Sequence, residues 1–386
     1  MDHRLARRVA DIEPFRVVEM MQEAWRLQAT GRDIVFMVAG EPDFGTPAPV
    51  IDAVSRRLAG GHVHYTPSLG LPELRSAIAD YYRSRFGLVL PVERIAVTTG
   101  ASGALLLALA ATVDTDTRIL LADPGYPCNR HFMRLFEGRA RSIPVDAATN
   151  YQLTAALVDE HWNDGTTGVL VATPSNPTGT IVAPDELAAI AATVAGRAGV
   201  LYVDEIYSEL VYDAPTPTIL TRTDDAFVVN SFSKTFGMTG WRLGWMVMPE
   251  WAIDAVEVLA QNLYISPPAP SQWAGQACFD PAVWQIVADR KEELRRRRDR
   301  LIAGLRALGF GIPVVPQGAF YVYADCSAHG DDSAAFARRL LHDAGVAVTP
   351  GNDFGTYRAQ HHVRFSYTTA ITQIEEALDR MTALLA

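Results

Sequence analysis

The amino-acid sequence predicts an α/β fold, in which a mostly parallel sheet is flanked by helices, and two observations support this prediction. Between about residues 94 and 248, short apolar runs alternate with longer segments that have the apolar spacing of helices. The short runs contain few polar positions, which is typical of strands that are buried on both faces. Because strands that alternate with helices form parallel sheets, we expect a large α/β domain here.

The large domain is placed over residues 46–279. Its predicted strands are, in chain order, RIAVTT, RILLAD, ARSIPV, GVLVATP, GVLYVDE, AFVVNS and RLGWMVM. Its predicted helices between these strands are ASGALLLALAA, CNRHFMRLFEG and APDELAAIAATVAG.

The C-terminal part has a different pattern and predicts a smaller α+β domain. A charged helix from about Pro281 to Leu308 comes first. The strands IPVVP and AFYVYAD, the helix SAAFARRLLHDAG, the strand HVRFSY and a final amphipathic helix follow it. We expect the N-terminal helix pattern RVVEMMQEAWRLQATG to pack on this unit. The small domain is therefore predicted to consist of residues 1–45 together with residues 280–386.

Composition excludes several classes of partner. The 44 acidic residues outnumber the 34 basic ones and give a formal net charge of −10, which argues against nucleic acid and anionic membranes as partners. No apolar run has the length of a membrane span, and the N-terminal residues lack the apolar segment of a secretory signal. Cys128, Cys278 and Cys326 are far apart and odd in number, which is typical of a cytoplasmic protein.

Lysine is almost absent from the chain, since 32 of its 34 basic residues are arginines. Lys291 lies within KEELRRRRDR and is interpreted as a solvated surface charge. Lys234 lies between Phe232 and Phe236 in SFSKTFGMTGWRLGW. An apolar setting with a nearby cation lowers the pKa of a lysine, whereas arginine stays charged in proteins. The sequence therefore predicts amine chemistry at Lys234.

Polar residues follow the predicted strands as TTGAS, ADPGYP, ATPSNPTG, VDEIY and NSFSK. Ligands bind beyond the carboxyl ends of strands in open α/β sheets, so these segments predict a binding site. The helix that opens at Ala101 and Ser102 could be ordinarily capped or could bind a phosphate. Asp204 could cap a helix or could hold a protonated ring nitrogen. Asn176 is first a turn residue, and its side chain could also reach the site.

Three further residues near Lys234 predict an anion site. Ser231, Ser233 and Arg242 could together hold a phosphate. GxGxxG, GxxxxGK[ST], HExxH and GxSxG are all absent from the sequence, so the dinucleotide, P-loop, zinc-protease and serine-hydrolase interpretations lack support.

Taken together and in this order, these segments resemble the class I/II aminotransferases, which have fold type I and use pyridoxal 5′-phosphate. The resemblance covers essentially the whole chain, as VAGEPDFGTP, YTPSLGLPELR, TTGASGA, DPGYP, NPTG, DEIY, SFSKTFGMTGWRLGW and VRFSY. The segment around Lys234 is the most specific of them. The resemblance implies a large cofactor-binding domain and a smaller α+β domain.

The resemblance also implies a role for each matching residue. Lys234 would hold the cofactor through a Schiff base and move a proton between substrate and cofactor. Asp204 would pair with the pyridine nitrogen, Asn176 and Tyr207 would hydrogen-bond the phenolic oxygen, and Tyr126 would stack on the ring. The phosphate would be held by Ala101, Ser102, Ser231, Ser233 and Arg242.

Substrate and subunit contacts follow from the same resemblance. Arg364 would bind the α-carboxylate of the substrate, although a structural ion pair is its alternative interpretation. Gly40 would lie close to the same carboxylate. Tyr65 would reach the phosphate in the partner subunit, which implies a homodimer with active sites shared across the interface.

The implied reaction is a ping-pong transfer of the α-amino group of an L-amino acid to a 2-oxo acid. A β C–S lyase is the alternative, since the same site supports other carbanion chemistry. A regulator is not expected, because the family's regulators carry an N-terminal DNA-binding segment and the enzyme-like region here begins almost at residue 1.

We expect a neutral or aromatic donor. Some aspartate-specific relatives have a lysine where this chain has Ser102, and others use an arginine in the segment that here reads QNLYISP. Arg130 and His131 could contact the distal group of the substrate or lie on the outer face of a helix. An apolar pocket could be lined by Phe15, Tyr264, Phe320 and Tyr321.

Overall fold

The structure is a computed structural model and describes residues 4–213 and 217–386. The strands in these ranges are β1 Val35–Phe36, β2 Ile95–Thr98, β3 Arg118–Asp123, β4 Arg139–Pro144, β5 Thr166–Ala172, β6 Val200–Asp204, β7 Phe227–Ser231, β8 Gly244–Val247, β9 Tyr321–Asp325, β10 Val346–Ala347, β11 Thr349–Pro350 and β12 His362–Ser366. The α-helices are α1 Arg16–Ala29, α2 Ala48–Leu58, α3 Pro72–Phe86, α4 Gly100–Thr112, α5 Pro127–Leu135, α6 Ala155–His161, α7 Pro184–Gly196, α8 Phe232–Thr235, α9 Ile253–Leu263, α10 Ala269–Ala277, α11 Pro281–Ala307, α12 Ser333–Arg339 and α13 Ile371–Leu385.

The central sheet has the strand order β2-β8-β7-β6-β5-β3-β4. Its pairs are parallel from β7 through β6, β5 and β3 to β4, so the prediction of a mostly parallel α/β sheet is confirmed. Strand β8 is the exception, since it runs antiparallel to both β7 and β2. In this arrangement Ser231 at the end of β7 lies opposite Gly244 at the start of β8. The twelve-residue connection therefore stays at the carboxyl edge of the sheet, and it carries Lys234 and Arg242.

Both faces of this sheet are buried, as the continuous apolar runs predict. Along β6, Leu201 and Val203 pack into one apolar cluster, while Tyr202 between them packs into the cluster on the opposite face. Helix α4 lies in the second cluster and is apolar around its whole circumference, since it contains the run ALLLALAA.

A further apolar cluster joins the two ends of the chain. Val17 and Met20 of α1 pack there with residues of α11, α12 and α13. Strand β1 pairs in parallel with β10, and β11, β12 and β9 form an antiparallel sheet. The expected packing of the N-terminal helix on the C-terminal unit is thus observed. The domain boundaries themselves stay a prediction, because Tyr207 and Leu210 also join this cluster.

The C-terminal secondary structure departs from its prediction at two segments. IPVVP is not a strand: between the isolated bridges of Gly311 and Gly318 the backbone is irregular. Pro313 and Pro316 have no N–H group to donate to a strand ladder, which accounts for this. SAAFARRLLHDAG begins as α12 and continues as a π-helix over Leu340–Ala344. Across the described ranges, no helix is both long and apolar enough to cross a membrane.

Candidate active site

A cavity of about 330 Å³ lies at the carboxyl edge of the central sheet, between this sheet and the small α+β part. The loops that follow β2, β3, β5, β6 and β7 contribute to its wall, and so do α1 and β12. The structure brings together at this cavity the predicted residues Gly40, Ala101, Ser102, Tyr126, Asn176, Asp204, Tyr207, Ser231, Ser233, Lys234, Arg242 and Arg364. Tyr65 is the predicted site residue that does not line it.

Lys234 projects into this cavity from the short helix α8. Ser231 caps the helix, because its hydroxyl accepts a hydrogen bond from the backbone N–H of Ser233 at 3.1 Å. The Lys234 amine donates to the backbone oxygen of Gly40 at 2.6 Å. Burial lowers the pKa of Lys234 to about 8, and the neighbouring guanidinium groups add to this effect while Glu41 opposes it. About one in ten of these amines is therefore uncharged at pH 7, far more than for an ordinary lysine, and the neutral form is the one a nucleophile requires.

Asp204 lies at the end of β6 and is 7% exposed. Burial raises its pKa to about 6, while a hydrogen bond from the backbone N–H of Ile206 to Oδ1 at 3.1 Å and the charge of Lys234 partly oppose the shift. A buried carboxylate with a raised pKa favours a cationic partner, because a positive charge in contact with the carboxylate stabilises its ionised form.

Aromatic side chains form much of the remaining wall. The hydroxyl groups of Tyr207 and Tyr321 lie 3.0 Å apart, and burial raises the pKa of Tyr207 well above its ordinary value. Tyr126 packs edge-to-face against Phe15 with a centroid distance of 6.2 Å. A Cβ atom at Gly40 would lie 3.2 Å from the Tyr321 hydroxyl, so a side chain at this position would crowd the cavity.

The start of α4 and Arg242 together form an anion-binding surface. The helix begins with Gly100 at φ +74°, and its N-cap residue Thr99 makes no side-chain capping hydrogen bond. A Cβ atom at Gly100 would lie 2.7 Å from Nη2 of Arg242, which places the guanidinium against the helix terminus. Free N–H groups, the helix dipole and a cation favour a phosphate here over the alternative of an ordinary cap.

Arg364 is 2% exposed and lies between two aromatic rings, 4.3 Å from the centroid of Tyr321 and 4.8 Å from that of Phe354. Its Nη1 donates to Oδ1 of Asn176 at 2.9 Å, and its Nη2 donates to the backbone oxygen of Val38 at 2.8 Å. Its hydrogen-bond acceptors among the described residues are an amide, a backbone carbonyl and the hydroxyl of Thr349, so the alternative of a structural ion pair is not observed. Its Nε–H is buried and lacks a partner within residues 4–213 and 217–386.

Asn176 therefore has a defined orientation. Its Oδ1 faces Arg364 and accepts a hydrogen bond, so the amide nitrogen is the end that remains to donate into the cavity.

The four aromatic residues that were expected to line an apolar pocket divide into two sets. Phe15 and Tyr321 line the cavity, whereas Tyr264 and Phe320 do not. Phe320, which belongs to the small α+β part, packs instead against the ring of Tyr207, with a centroid distance of 5.4 Å.

Arg130 and His131 lie on α5 and also do not line the cavity. Arg130 donates to the backbone oxygen of Asp353 at 3.3 Å and lies 3.7 Å from the carboxylate of Glu13. Arg130 also lines a neighbouring cavity together with Tyr126 and Asn176, so its contact with the distal group of a substrate stays a prediction.

Several residues of the cavity wall carry no recognisable signal in the sequence. Val17, Val18 and Met21 of α1 line it, and so do Glu41 and Thr239, which are joined by a hydrogen bond of 2.8 Å. The apolar spacing of α1 predicts a packed face. The same spacing does not indicate that this face also borders a cavity.

Comparison with known proteins gives the family. The family model described as aminotransferase class I and II matches residues 32–381. The chain belongs to the class I and II aminotransferases.

This aminotransferase is similar over its full length to curated relatives. It is 41% identical to a valine–pyruvate aminotransferase of Mycobacterium tuberculosis, with 100% of this chain and 99% of the relative covered. It is 34% identical to an aspartate/prephenate aminotransferase of Thermus thermophilus, with 99% and 98% covered. An aminotransferase crystal structure from Mycobacterium tuberculosis superposes with a TM-score of 0.95 at 40% identity, and 99% of each chain is covered.

Enzymes of this family depend on pyridoxal 5′-phosphate, and the predictions of fold, cofactor and aminotransferase activity are confirmed. The residues of the cavity fit that molecule. An amine with a lowered pKa, a buried carboxylate with a raised pKa and an uncapped helix terminus beside an arginine match its aldehyde, ring nitrogen and phosphate.

Proposed function

We propose that this aminotransferase moves the α-amino group of a neutral, apolar L-amino acid to a 2-oxo acid. The observation that carries the proposal is the distribution of charge in the cavity. Among the described residues that line it, the basic side chains are Lys234, Arg242 and Arg364. Each has a task in the chemistry, so no cation remains for a side-chain carboxylate of the donor.

Lys234 would hold the cofactor covalently, Asp204 its ring nitrogen, Asn176 and Tyr207 its phenolic oxygen, and Tyr126 its ring face. Its phosphate would be held by Ala101, Ser102, Ser231, Ser233 and Arg242. When bound, pyridoxal 5′-phosphate supplies an electron sink for the carbanion that forms at the substrate Cα.

The protein supplies proton transfer and orientation. The amine of Lys234 would take the proton from the substrate Cα and deliver it to the cofactor. Arg364 would fix the α-carboxylate, because a guanidinium can make two parallel hydrogen bonds to a carboxylate. Its rotation is restricted by Tyr321 and Phe354, which lie on either side of the guanidinium. The carboxylate therefore sets the direction of the Cα–H bond.

The remaining wall favours an apolar side chain and disfavours an acidic one. Phe15, Val18 and Met21 present an apolar surface, while Glu41 adds a negative charge near Lys234. A donor carboxylate near Glu41 would meet a like charge and would find no unengaged cation among the described lining residues. The name of the relative from Mycobacterium tuberculosis, a valine–pyruvate aminotransferase, supports an apolar donor.

A donor panel tests this proposal. We expect kcat/KM for leucine or phenylalanine to exceed that for aspartate by at least about 100-fold, because an uncompensated carboxylate costs several kcal/mol to bury. The measurement is a steady-state assay with pyruvate and 2-oxoglutarate as alternative acceptors. Equal or better use of aspartate would contradict the proposed donor class. Release of pyruvate and ammonia from cystathionine, without net transamination, would favour the β C–S lyase instead.

We also propose a homodimer in which Tyr65 of each chain completes the site of the other. Tyr65 is 80% exposed and lies outside its own cavity. Thr66 donates a backbone hydrogen bond to Ser266 Oγ at 3.4 Å and joins this segment to that of Ile265, which is 53% exposed. Exposed aromatic and aliphatic residues on adjoining segments are typical of a surface that is covered in the assembly.

Mixed subunits test the shared site. Tyr65→Ala and Lys234→Ala are each expected to be inactive as homodimers. After the two variants are unfolded and refolded together, hybrid dimers should recover activity, since one of their two sites combines an intact Lys234 with an intact Tyr65. Analytical ultracentrifugation gives the oligomeric state. A fully active Tyr65→Ala variant, or a failure of the mixture to gain activity, would contradict the shared site.

The compartment proposed for this enzyme is the cytoplasm. Cys128, Cys278 and Cys326 are free thiols in the structure, which supports a reducing environment. Fractionation of the cells that produce the protein tests this, and recovery in an extracellular fraction would contradict it.

A further inference from the structure

Helix α1 begins beside the cavity, and its first backbone N–H groups are bound by a residue from the other end of the chain. Its N-cap residue, Phe15, provides no side-chain acceptor. Instead, Asp353 accepts hydrogen bonds from the backbone N–H of Arg16 at 2.9 Å and of Val17 at 3.4 Å. The Asp353 side chain is buried, at 2% exposure. A carboxylate at this position also interacts favourably with the positive end of the helix dipole.

The same end of α1 forms the apolar wall of the cavity. Phe15, Val17, Val18 and Met21 line it, and all four lie within the N-cap and first two turns of the helix. Phe15 also packs edge-to-face on Tyr126, which lines the same cavity. The position of this helical end therefore fixes the distance between the apolar wall and the ring of Tyr126.

The turn that carries Asp353 is itself firmly attached on two sides. Phe354 packs on the guanidinium of Arg364. Thr356 donates backbone and side-chain hydrogen bonds of 3.0 Å each to the buried Asp123 at the end of β3. One turn thus contacts the large sheet, the proposed carboxylate-binding arginine and the start of α1.

We propose that Asp353 is a specificity-determining positioning residue, which holds the first turn of α1 in place as the wall against which the apolar side chain of the donor packs. It does not touch the reacting atoms. Asp353 affects kcat/KM through the packing of the donor side chain, so its effect on kcat/KM grows with the size of that side chain. The proposal rests on the proposed function, because it assumes an apolar donor.

Asp353→Ala tests this role through the size of the donor. The loss of a helix cap costs about 1 kcal/mol, which corresponds to roughly a fivefold change, so we expect kcat/KM for leucine to fall by up to about fivefold. For alanine, whose methyl group is too short to depend on this wall, the change should be less than about twofold. Asp353→Asn keeps an acceptor at the same position and should recover most of the loss, since asparagine caps helices well.

Hydrogen exchange measured by mass spectrometry gives a readout that does not depend on turnover. Amide protons in a peptide covering residues 16–21 should exchange faster in Asp353→Ala, whereas peptides from α13 should be unchanged. Asp332→Ala is the matched control, because Asp332 caps α12 through hydrogen bonds of 2.9 Å and 3.1 Å from Ala334 and Ala335. Helix α12 does not line the cavity, so this variant should leave the leucine-to-alanine ratio unaltered.

An equal loss for leucine and alanine, or unchanged exchange at residues 16–21, would overturn the role of Asp353. Failure of the proposed donor class is a separate result, since it would be seen in the unmodified enzyme as poor use of leucine. In that case the exchange experiment alone decides whether Asp353 holds α1.

Discussion

Lys234→Ala is expected to lower kcat for transamination by at least about 10⁴-fold, because the variant loses the group that carries the proton and the amine that binds the cofactor. Lys234→Arg should be equally inactive. Arginine retains a positive charge at this position but not an amine that can become neutral, so this variant separates charge from nucleophilicity. The measurement is initial-rate kinetics with the purified variants after incubation with pyridoxal 5′-phosphate.

The scarcity of lysine provides an internal control for this experiment. Lys291 lies on α11, away from the cavity, and Lys291→Ala should keep activity within about twofold of the unmodified enzyme. Thermal unfolding should show that the Lys234 variants remain folded, because replacement of a buried lysine removes a desolvated charge and not a packed apolar group. A Lys234→Ala enzyme with activity within tenfold of the original would contradict the proposed role.

Arg364→Ala is expected to lower kcat/KM by about 10²- to 10³-fold, with KM raised and kcat reduced together. Loss of one partner of a buried, hydrogen-bonded ion pair costs about 2–5 kcal/mol, which accounts for weaker binding. The fall in kcat has a different cause: without a fixed carboxylate, the Cα–H bond is no longer held in the reactive direction. Arg364→Lys should recover only part of the lost binding and only part of the lost kcat, because an ammonium group cannot form the two parallel hydrogen bonds.

Arg298→Ala is the matched control for a buried arginine. Arg298 is 5% exposed, donates to the backbone oxygen of Pro316 at 2.9 Å and stacks on Tyr212, but it does not line the cavity. This variant should unfold at a lower temperature and keep its KM. An unchanged kcat/KM in Arg364→Ala would show that another residue holds the carboxylate.

The parts of the fold that follow from repeated local patterns could be predicted from the sequence. Each strand of the central sheet is a short apolar run, and polar residues follow most of these runs, so both the sheet and the edge that carries the site were foreseeable. The direction of β8 was not, because an apolar run does not indicate whether its neighbour is parallel or antiparallel. The failed strand IPVVP shows that two prolines outweigh apolar character.

Some residues of the candidate site could likewise be predicted from the sequence and others could not. Residues with distinctive chemistry, such as Lys234 and Asp204, were identified individually, and the structure places them at one cavity. The partners of Arg364 could not be foreseen, since Val38 contributes a backbone oxygen and any residue type would supply one. Asp353 was missed for a related reason. Its hydrogen bonds join residues 337 and 336 positions apart in the chain, and a capping pattern is visible in a sequence only when cap and helix are adjacent.

The pairing of β1 with β10 has a consequence for the synthesis of the protein. These strands lie near opposite ends of the chain, and α1 packs with helices that follow β9. At 5–20 residues per second, roughly 15–60 s separate the translation of β1 from that of β10. During this interval the central sheet can form on the ribosome, whereas the cluster around α1 still lacks its residues from β9 onward. The apolar cluster that covers α1 can therefore be completed only after α13 has been made.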